Sequence, residues 1–515
     1  MKHKITRRDF LQKSSEGVLA AVGIPYLLKS NMAKALTIPE AKDMNLKNCY
    51  EHFGADEKTI REVMSEALSD GGDYSDVYFQ HRIVNNINLE DKSVNAAYNK
   101  VDLGVGIRVL KGDQTGYSFT EEITPQAMKL AAKTAANIAS SGKKTGPAEL
   151  KLHKTPNYYP IKTPWEKVGI ERKIPYLEKI NDKIFAQDKR VIKATLGFNN
   201  ETSLIMIATS EGRIVFDYQP TTQIFASCTA EQNGRREQNF SMLAGRQGIE
   251  FFTPENIDYL ANEAVQQTVA LFEAVKPSPG EMEIVLAPGV SGILLHEAIG
   301  HGMEADFNRK KISIFCDKIN KSVAEKFVTI VDDGTNPNLR GSINVDDESN
   351  DTEKTYLVKD GVLCGYLHDR ISAQYYNAKP TGNGRRESFR FEPQPRMRNT
   401  YMLPGPHKKE EIIRSVKKGL YAEWFTNGQV NIGAGDFTFY VKSGRLIEDG
   451  KLTMPVKDVN IIGNGPEVLK NIVMVGDDFE MDTWGGMCGK NGQYVPVGMG
   501  LPTVKVSKIT VGGVS

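Results

Sequence analysis

Apolar residues recur at helical spacing in a few segments of the chain and gather in strand-like runs in many more. Ile60, Val63, Met64 and Leu68 fall on one face of a helix predicted over residues 55–69, which Asp70-Gly71-Gly72 ends. Residues 75–84 are rich in Val, Tyr, Phe and Ile, residues 101–110 alternate small and apolar residues, and both read as strands. Lys111-Gly112-Asp113-Gln114-Thr115-Gly116 turns the chain into the further strand-like run Tyr117-Ser118-Phe119. Helices are predicted over 125–140 and 164–187. Strands return over 191–232, around a hairpin turn at Ser210-Glu211-Gly212-Arg213. A last helix over 254–274 carries Ile257, Leu260, Ala261, Ala264, Val265 and Val269 on one broad apolar stripe. Runs of strands interrupted by helices, without strict alternation, favour an α+β fold over a doubly wound sheet.

Lys276-Pro277-Ser278-Pro279-Gly280 breaks the pattern, because two prolines and a glycine neither continue a helix nor join a sheet interior. It divides the chain into an N-terminal α+β domain (36–275), a linker (276–280) and a β-rich C-terminal domain (281–515). That second domain opens with a short apolar strand (282–287) and a Pro288-Gly289 turn. Ser291 is placed to cap a helix that carries His296 and Glu297. The remainder is β-rich: strands are expected over 328–333, 355–360, 362–368, 429–432, 436–441, 445–447, 472–475 and 503–511. Glycine-rich turns join them, with one helix over 410–420.

With 515 residues the chain is long for a single core, and its apolar fraction of 40% and charged fraction of 25% are those of a globular protein. A net charge of +1 gives no electrostatic case for nucleic acid or a membrane surface. No apolar run approaches the length of a membrane span. Residues 1–35 differ from the rest. Thr6-Arg7-Arg8-Asp9-Phe10-Leu11, an apolar stretch from Gly17 to Leu28, and Ala33-Lys34-Ala35 follow one another in the order of a twin-arginine export signal. The expected destination is therefore the periplasm, with no stable membrane insertion after export.

The densest chemistry is His296-Glu297-Ala298-Ile299-Gly300-His301. Imidazole is a common zinc ligand, and an adjacent carboxylate can take a proton from a zinc-bound water. The familiar metallopeptidase spacing puts the two histidines four apart; here they are five apart. On a regular helix, at about 100° per residue, that spacing turns them roughly 140° away from each other. Zinc ligation by both therefore demands a π-type bulge or a helix that ends near Gly300, where a distortion is tolerated. A catalytic zinc site wants a third protein ligand. Glu304 and Asp306 lie just beyond, and His368 and His407 further off. Cys488 sits in a flexible Gly485-Gly486-Met487-Cys488-Gly489-Lys490-Asn491-Gly492 stretch whose Lys490 could steady a thiolate. The five cysteines (49, 228, 316, 364 and 488) form no C-x-x-C pair, and their odd number leaves at least one out of any disulfide set. A second polar cluster, Thr381-Gly382-Asn383-Gly384-Arg385-Arg386, joins exposed backbone N–H groups to arginines. These suit carboxylate or carbonyl oxygens, or pairing with Asp346, Asp347 and Glu348.

Several of these stretches together resemble the TldD/PmbA family of metallopeptidases, in its motif-bearing TldD-like branch. They are His296 to Asp306, Asp332-Asp333-Gly334-Thr335, Thr381 to Ser388, Arg396 to Leu403, Gly463 to Glu467 and Cys488 to Gly500. The resemblance implies Zn2+ held by His296, His301 and Cys488, with Glu297 as general base. It implies hydrolysis of amide bonds in flexible or unfolded peptides, and a homodimer or a heterodimer with a paralogous subunit. The competing expectation is a non-catalytic, chaperone-like scaffold that partners an active paralogue. Two positions depart from the family's habit: the export signal, in a family usually cytoplasmic, and Ser349, where Gly often follows the Asp-Asp-Glu run.

Overall fold

The computed structural model describes residues 37–39, 44–138 and 146–513; the twin-arginine stretch and the whole expected export signal lie outside them. The described chain is α+β. Its first half is built on a strongly antiparallel sheet. The strands run in the order Gln114–Thr120, Ser93–Lys111, Tyr74–Glu90, Val191–Thr209 and Arg213–Gln232, with Arg235–Gly245 paired to the last of these. The helix Glu57–Ala67 buries Ile60, Val63, Met64 and Ala67, one face by their spacing, and Asp56 caps it by accepting from the Thr59 N–H at 2.8 Å. Alternation along Tyr74–Glu90 assigns its two faces. Val77 and Phe79 pack with Ile60, Val63 and Met64 of the helical layer. Tyr78, between them, packs with Val345 and Phe389 of the second half. The helices Ile170–Gln187 and Pro254–Ala270 cover the far part of the sheet through a second cluster around Leu177, Ile180, Leu260 and Ala264.

The second half folds round a ladder that closes on itself. Lys418–Val430 pairs with Gly280–Leu286, which pairs with Val504–Gly513, then Val459–Asn464, then Asp436–Glu448, which pairs back onto Lys418–Val430. A six-stranded sheet lies beside it, with Ile330–Asp333, Asn399–Met402 and Gly498–Leu501 at its centre. One apolar core serves both and includes Leu294, Leu295, Ala298, Ile299, Met397 and Cys488.

Three local expectations need correction. Ser291 does not cap a helix: it lies inside a short turn, Val290–Gly292, and its hydroxyl donates to the Ala287 carbonyl. The helix expected over 410–420 is confined to Lys409–Arg414, because the chain from Lys418 is drawn into parallel pairing with Glu283 to Leu286. The strand expected over 362–368 shrinks to Val362–Leu363. The tertiary ladder overrides local propensity in the second case.

Candidate metal centre

Gly280–Leu286 delivers the chain into a turn and then a short α-helix, Ile293–Leu295, whose leucines are anchored in the core. The helix then widens. His296–Gly300 is a π-helical turn, in which the His301 N–H donates to the His296 carbonyl five residues back. This is the distortion that the motif spacing demands, and it brings the two imidazoles to one side, with ring centroids 5.2 Å apart. Gly300 itself has ordinary helical angles (φ −57°, ψ −51°), so its role is not conformational. A Cβ there would lie 2.1 Å from Met397 Sδ; the glycine makes room for a buried neighbour. Gly465 does the same on another side, where a Cβ would meet the Ala298 carbonyl at 2.1 Å.

Cys488 arrives from the hairpin Met487–Lys490 and Gln493–Pro496. Its Sγ lies 3.3 Å from His301 Nε2, across 187 residues of sequence. One donor atom each from His296, His301 and Cys488 all fall within 4.8 Å of one another, and all three residues are buried. The other polar groups serve this trio. His301 Nδ1 lies 3.0 Å from Glu304 Oε2, which leaves Nε2 facing the cysteine. Arg396, fully buried, donates to the Cys488 carbonyl and fixes the hairpin from behind. Glu297 is half-buried, with Oε2 3.7 Å from His301 Nε2.

Electrostatics agree with the geometry. Burial alone pushes the Cys488 thiol up, but His301 and His296 outweigh it and hold the thiol well below its ordinary range. Burial likewise disfavours a charged His301, while Cys488 and Glu304 raise its pKa well above normal. Glu304, penalised by burial, is held at about 2 by Lys490 and His301. A buried thiolate next to two imidazoles is a donor set that a divalent cation satisfies. At zinc bond lengths of about 2.0 Å to nitrogen and about 2.3 Å to sulfur, tetrahedral donors sit roughly 3.5 Å apart. The 3.3 Å between His301 Nε2 and Cys488 Sγ matches. His296 Nδ1 is buried and makes no hydrogen bond. The residues fit a metal.

The remaining sequence candidates are elsewhere. Glu304 stands behind His301, and Asp306 accepts from Lys490 Nζ at 2.7 Å. Lys490 therefore binds acids and the Pro395 carbonyl instead of steadying the thiolate. His368 is buried against Tyr366 and Tyr376, and His407 Nδ1 meets the Val475 backbone. In the second polar cluster, Arg385 donates to the Met397 and Pro496 carbonyls and the Arg386 N–H to Asp347, so carbonyl holding and acid pairing both occur. In sequence Arg396 reads as added positive charge near the second polar cluster and Met397 only as part of the Arg396–Leu403 stretch; nothing local tells what either touches.

A π-turn histidine pair with a distant cysteine beside it forms a candidate site for a divalent metal. Comparison with known proteins gives the family. Residues 279–513 match the PmbA/TldA metallopeptidase C-terminal domain, 163–272 the central domain and 75–139 domain 1. A metalloprotease TldD homolog of Haemophilus influenzae is 39% identical over 449 residues, 86% of this chain and 93% of that protein. A protein named zinc metalloprotease TldD homolog, from Saccharolobus solfataricus, is 27% identical over 86% of this chain and 97% of its own length. Among solved structures, one described as a modulator of DNA gyrase from Thermotoga maritima superposes with a TM-score of 0.72 at 21% identity, covering 88% of this chain and all of that one. TldE from Thermococcus kodakarensis gives 0.69 at 19%, over 88% of this chain and 100% of its own. The chain belongs to the PmbA/TldD family of metallopeptidases and is a hydrolase of that class.

Proposed function

We propose that this chain is a zinc peptidase that hydrolyses amide bonds in flexible peptides, with Glu297 carrying the proton. The observation that carries the reading is the convergence of His296, His301 and Cys488 within 4.8 Å beside a carboxylate. Two imidazoles and a thiolate favour zinc over harder cations. The name of the Saccharolobus relative points the same way. The metal, when bound, supplies Lewis acidity to the substrate carbonyl and to the attacking water. Glu297, less enclosed than the three donors, takes the proton of that water and returns it to the departing amine. Glu304 holds the His301 ring through Nδ1 and keeps Nε2 free as a donor. Export through the twin-arginine signal and assembly into a dimer belong to the same proposal.

The test uses purified protein, its zinc content and a fluorogenic peptide library. Wild type is expected to hold zinc and cleave peptides. Glu297→Gln is expected to keep the metal and lose turnover by about 10²-fold or more. Undiminished turnover would remove Glu297 from the proton-carrying role, and a zinc-free, inactive wild type would overturn the reading as a whole.

A further inference from the structure

A cavity of about 270 Å³ lies between the open face of the N-terminal sheet and the loops of the second half. None of the three metal-site donors lines it, yet it shares a wall with them. In the hairpin that carries Cys488, Cys488 is paired with Val495 and Met487 with Pro496. Side chains on adjacent residues of a strand point to opposite faces. Cys488 and Val495 are buried, whereas Met487, Tyr494 and Pro496 line the cavity. The hairpin therefore has the metal centre on one side and this cavity on the other.

Five arginines line the cavity. Two are spoken for: Arg82 pairs with Glu201 at 2.7 Å, and Arg386 with Asp76 at 3.4 Å. Arg246, Arg340 and Arg385 have no carboxylate within ion-pair distance among the described residues; their hydrogen bonds go to carbonyls, an amide and a sulfur. Arg246 and Arg385 are only 2% and 4% exposed, and Arg340 Nε is buried without any partner. Burial draws Arg340 and Arg385 down to about 10, against the opposing pull of Glu201 on the first and Asp347 on the second, with Arg246 adding to the fall in both. The carboxylates of Glu201, Asp347 and Glu387 also line the cavity, so its five arginines leave it net positive rather than uniformly so, and a buried guanidinium without a directly paired anion is costly. A planar guanidinium fork matches a carboxylate in two hydrogen bonds. The other walls carry amide side chains from Asn199, Gln219 and Gln223, which suit peptide C=O and N–H groups, and the apolar surfaces of Ile343 and Met487, which suit carbon.

We infer that this cavity is a carboxylate-binding site for a peptide, read by Arg246, Arg340 and Arg385 from the far side of the Cys488 hairpin. Its ligand class rests on the peptidase reading; its charge does not. The carboxylate comes from either a chain terminus or an acidic side chain. Calorimetry on zinc-loaded Glu297→Gln protein distinguishes them with three probes: acetyl-Ala-Ala-Ala as the free acid, the same peptide as the amide, and acetyl-Ala-Glu-Ala amide. One of the acids is expected to bind at least tenfold more tightly than the neutral amide, and which one does so identifies the source. Arg340→Met is expected to erase the advantage with zinc content unchanged. Equal binding of all three probes to the unmutated cavity overturns the site, as does a preference that survives in Arg340→Met. Acid-selective binding by a protein that cleaves no peptide supports the site and counts against the peptidase reading alone.

Discussion

Gly300→Ala isolates what the π-turn needs. Backbone propensity favours the substitution: at φ −57° and ψ −51°, alanine in place of glycine gains about 0.5–1 kcal/mol. Packing opposes it. The new methyl would lie 2.1 Å from Met397 Sδ and 3.2 Å from its Cε, and Met397 is fully buried, with its own carbonyl held by Arg385. Overfilling such a site costs about 1–3 kcal/mol, toward the lower end where a flexible methionine can give. The net expectation is a loss of about 0.5–1 kcal/mol. Because the strain falls between His296 and His301, it is expected to weaken zinc binding by roughly 2- to 5-fold, at 1.4 kcal/mol per factor of ten. Competition against a chromophoric chelator measures the affinity, and urea denaturation measures the stability. The companion Met397→Ala removes the obstructing sulfur, so the double-mutant cycle is expected to show a favourable coupling of about 1–2 kcal/mol. A Gly300→Ala protein that binds zinc like wild type and is at least as stable would refute the argument that the glycine is there to make room.

Gly300 lies on the line between what the sequence contains and what only the fold supplies. The five-residue spacing of His296 and His301 is enough to demand a widened helix, since 3.6 residues per turn cannot bring both rings to one side. The same stretch cannot say why position 300 is glycine, because the reason is Met397, almost a hundred positions on. The third donor has the same character. From residue types alone, Glu304, Asp306 and Cys488 were open alternatives. The choice depends on a hairpin that presents Cys488 at 3.3 Å, and on Lys490 taking Asp306 away. Element type was legible where period and caps agreed, as in Glu57–Ala67. It was lost where the partner strand decides: Lys418–Val430 begins inside a helical pattern because Gly280–Leu286 offers it an edge. Strand lengths were underestimated for a related reason. Asn85 and Asn86 look like the end of a strand, yet both are paired on each side within Tyr74–Glu90.

Two further perturbations test the surroundings of the centre. Glu304→Gln keeps an acceptor for His301 Nδ1 but removes the charge that Lys490 and His301 stabilise; zinc affinity is expected to fall about 10- to 100-fold, as read by chelator competition, and unchanged affinity would mean that the Glu304 charge does not tune His301 as a ligand. Lys442 offers a stability test remote from the metal. Its Nζ lies 4.2 Å from the centre of the Trp424 ring and donates to the Phe240 carbonyl, and burial draws its pKa from 10.5 down to about 6, with Glu263 opposing weakly. Below about pH 6 the lysine is charged in both the folded and unfolded chain. Between about pH 6 and pH 10 the unfolded chain holds a proton that the folded chain lacks, so this residue makes stability rise with pH across that window. Lys442→Met removes the titration while filling the same aromatic niche. It is expected to flatten that slope and to stabilise the protein by about 1–3 kcal/mol near pH 7. Denaturant midpoints measured at pH 6, 7.5 and 9 decide the matter: parallel profiles for the two proteins would mean that Lys442 keeps its proton on folding, because the rings and the Phe240 carbonyl together replace the water it loses.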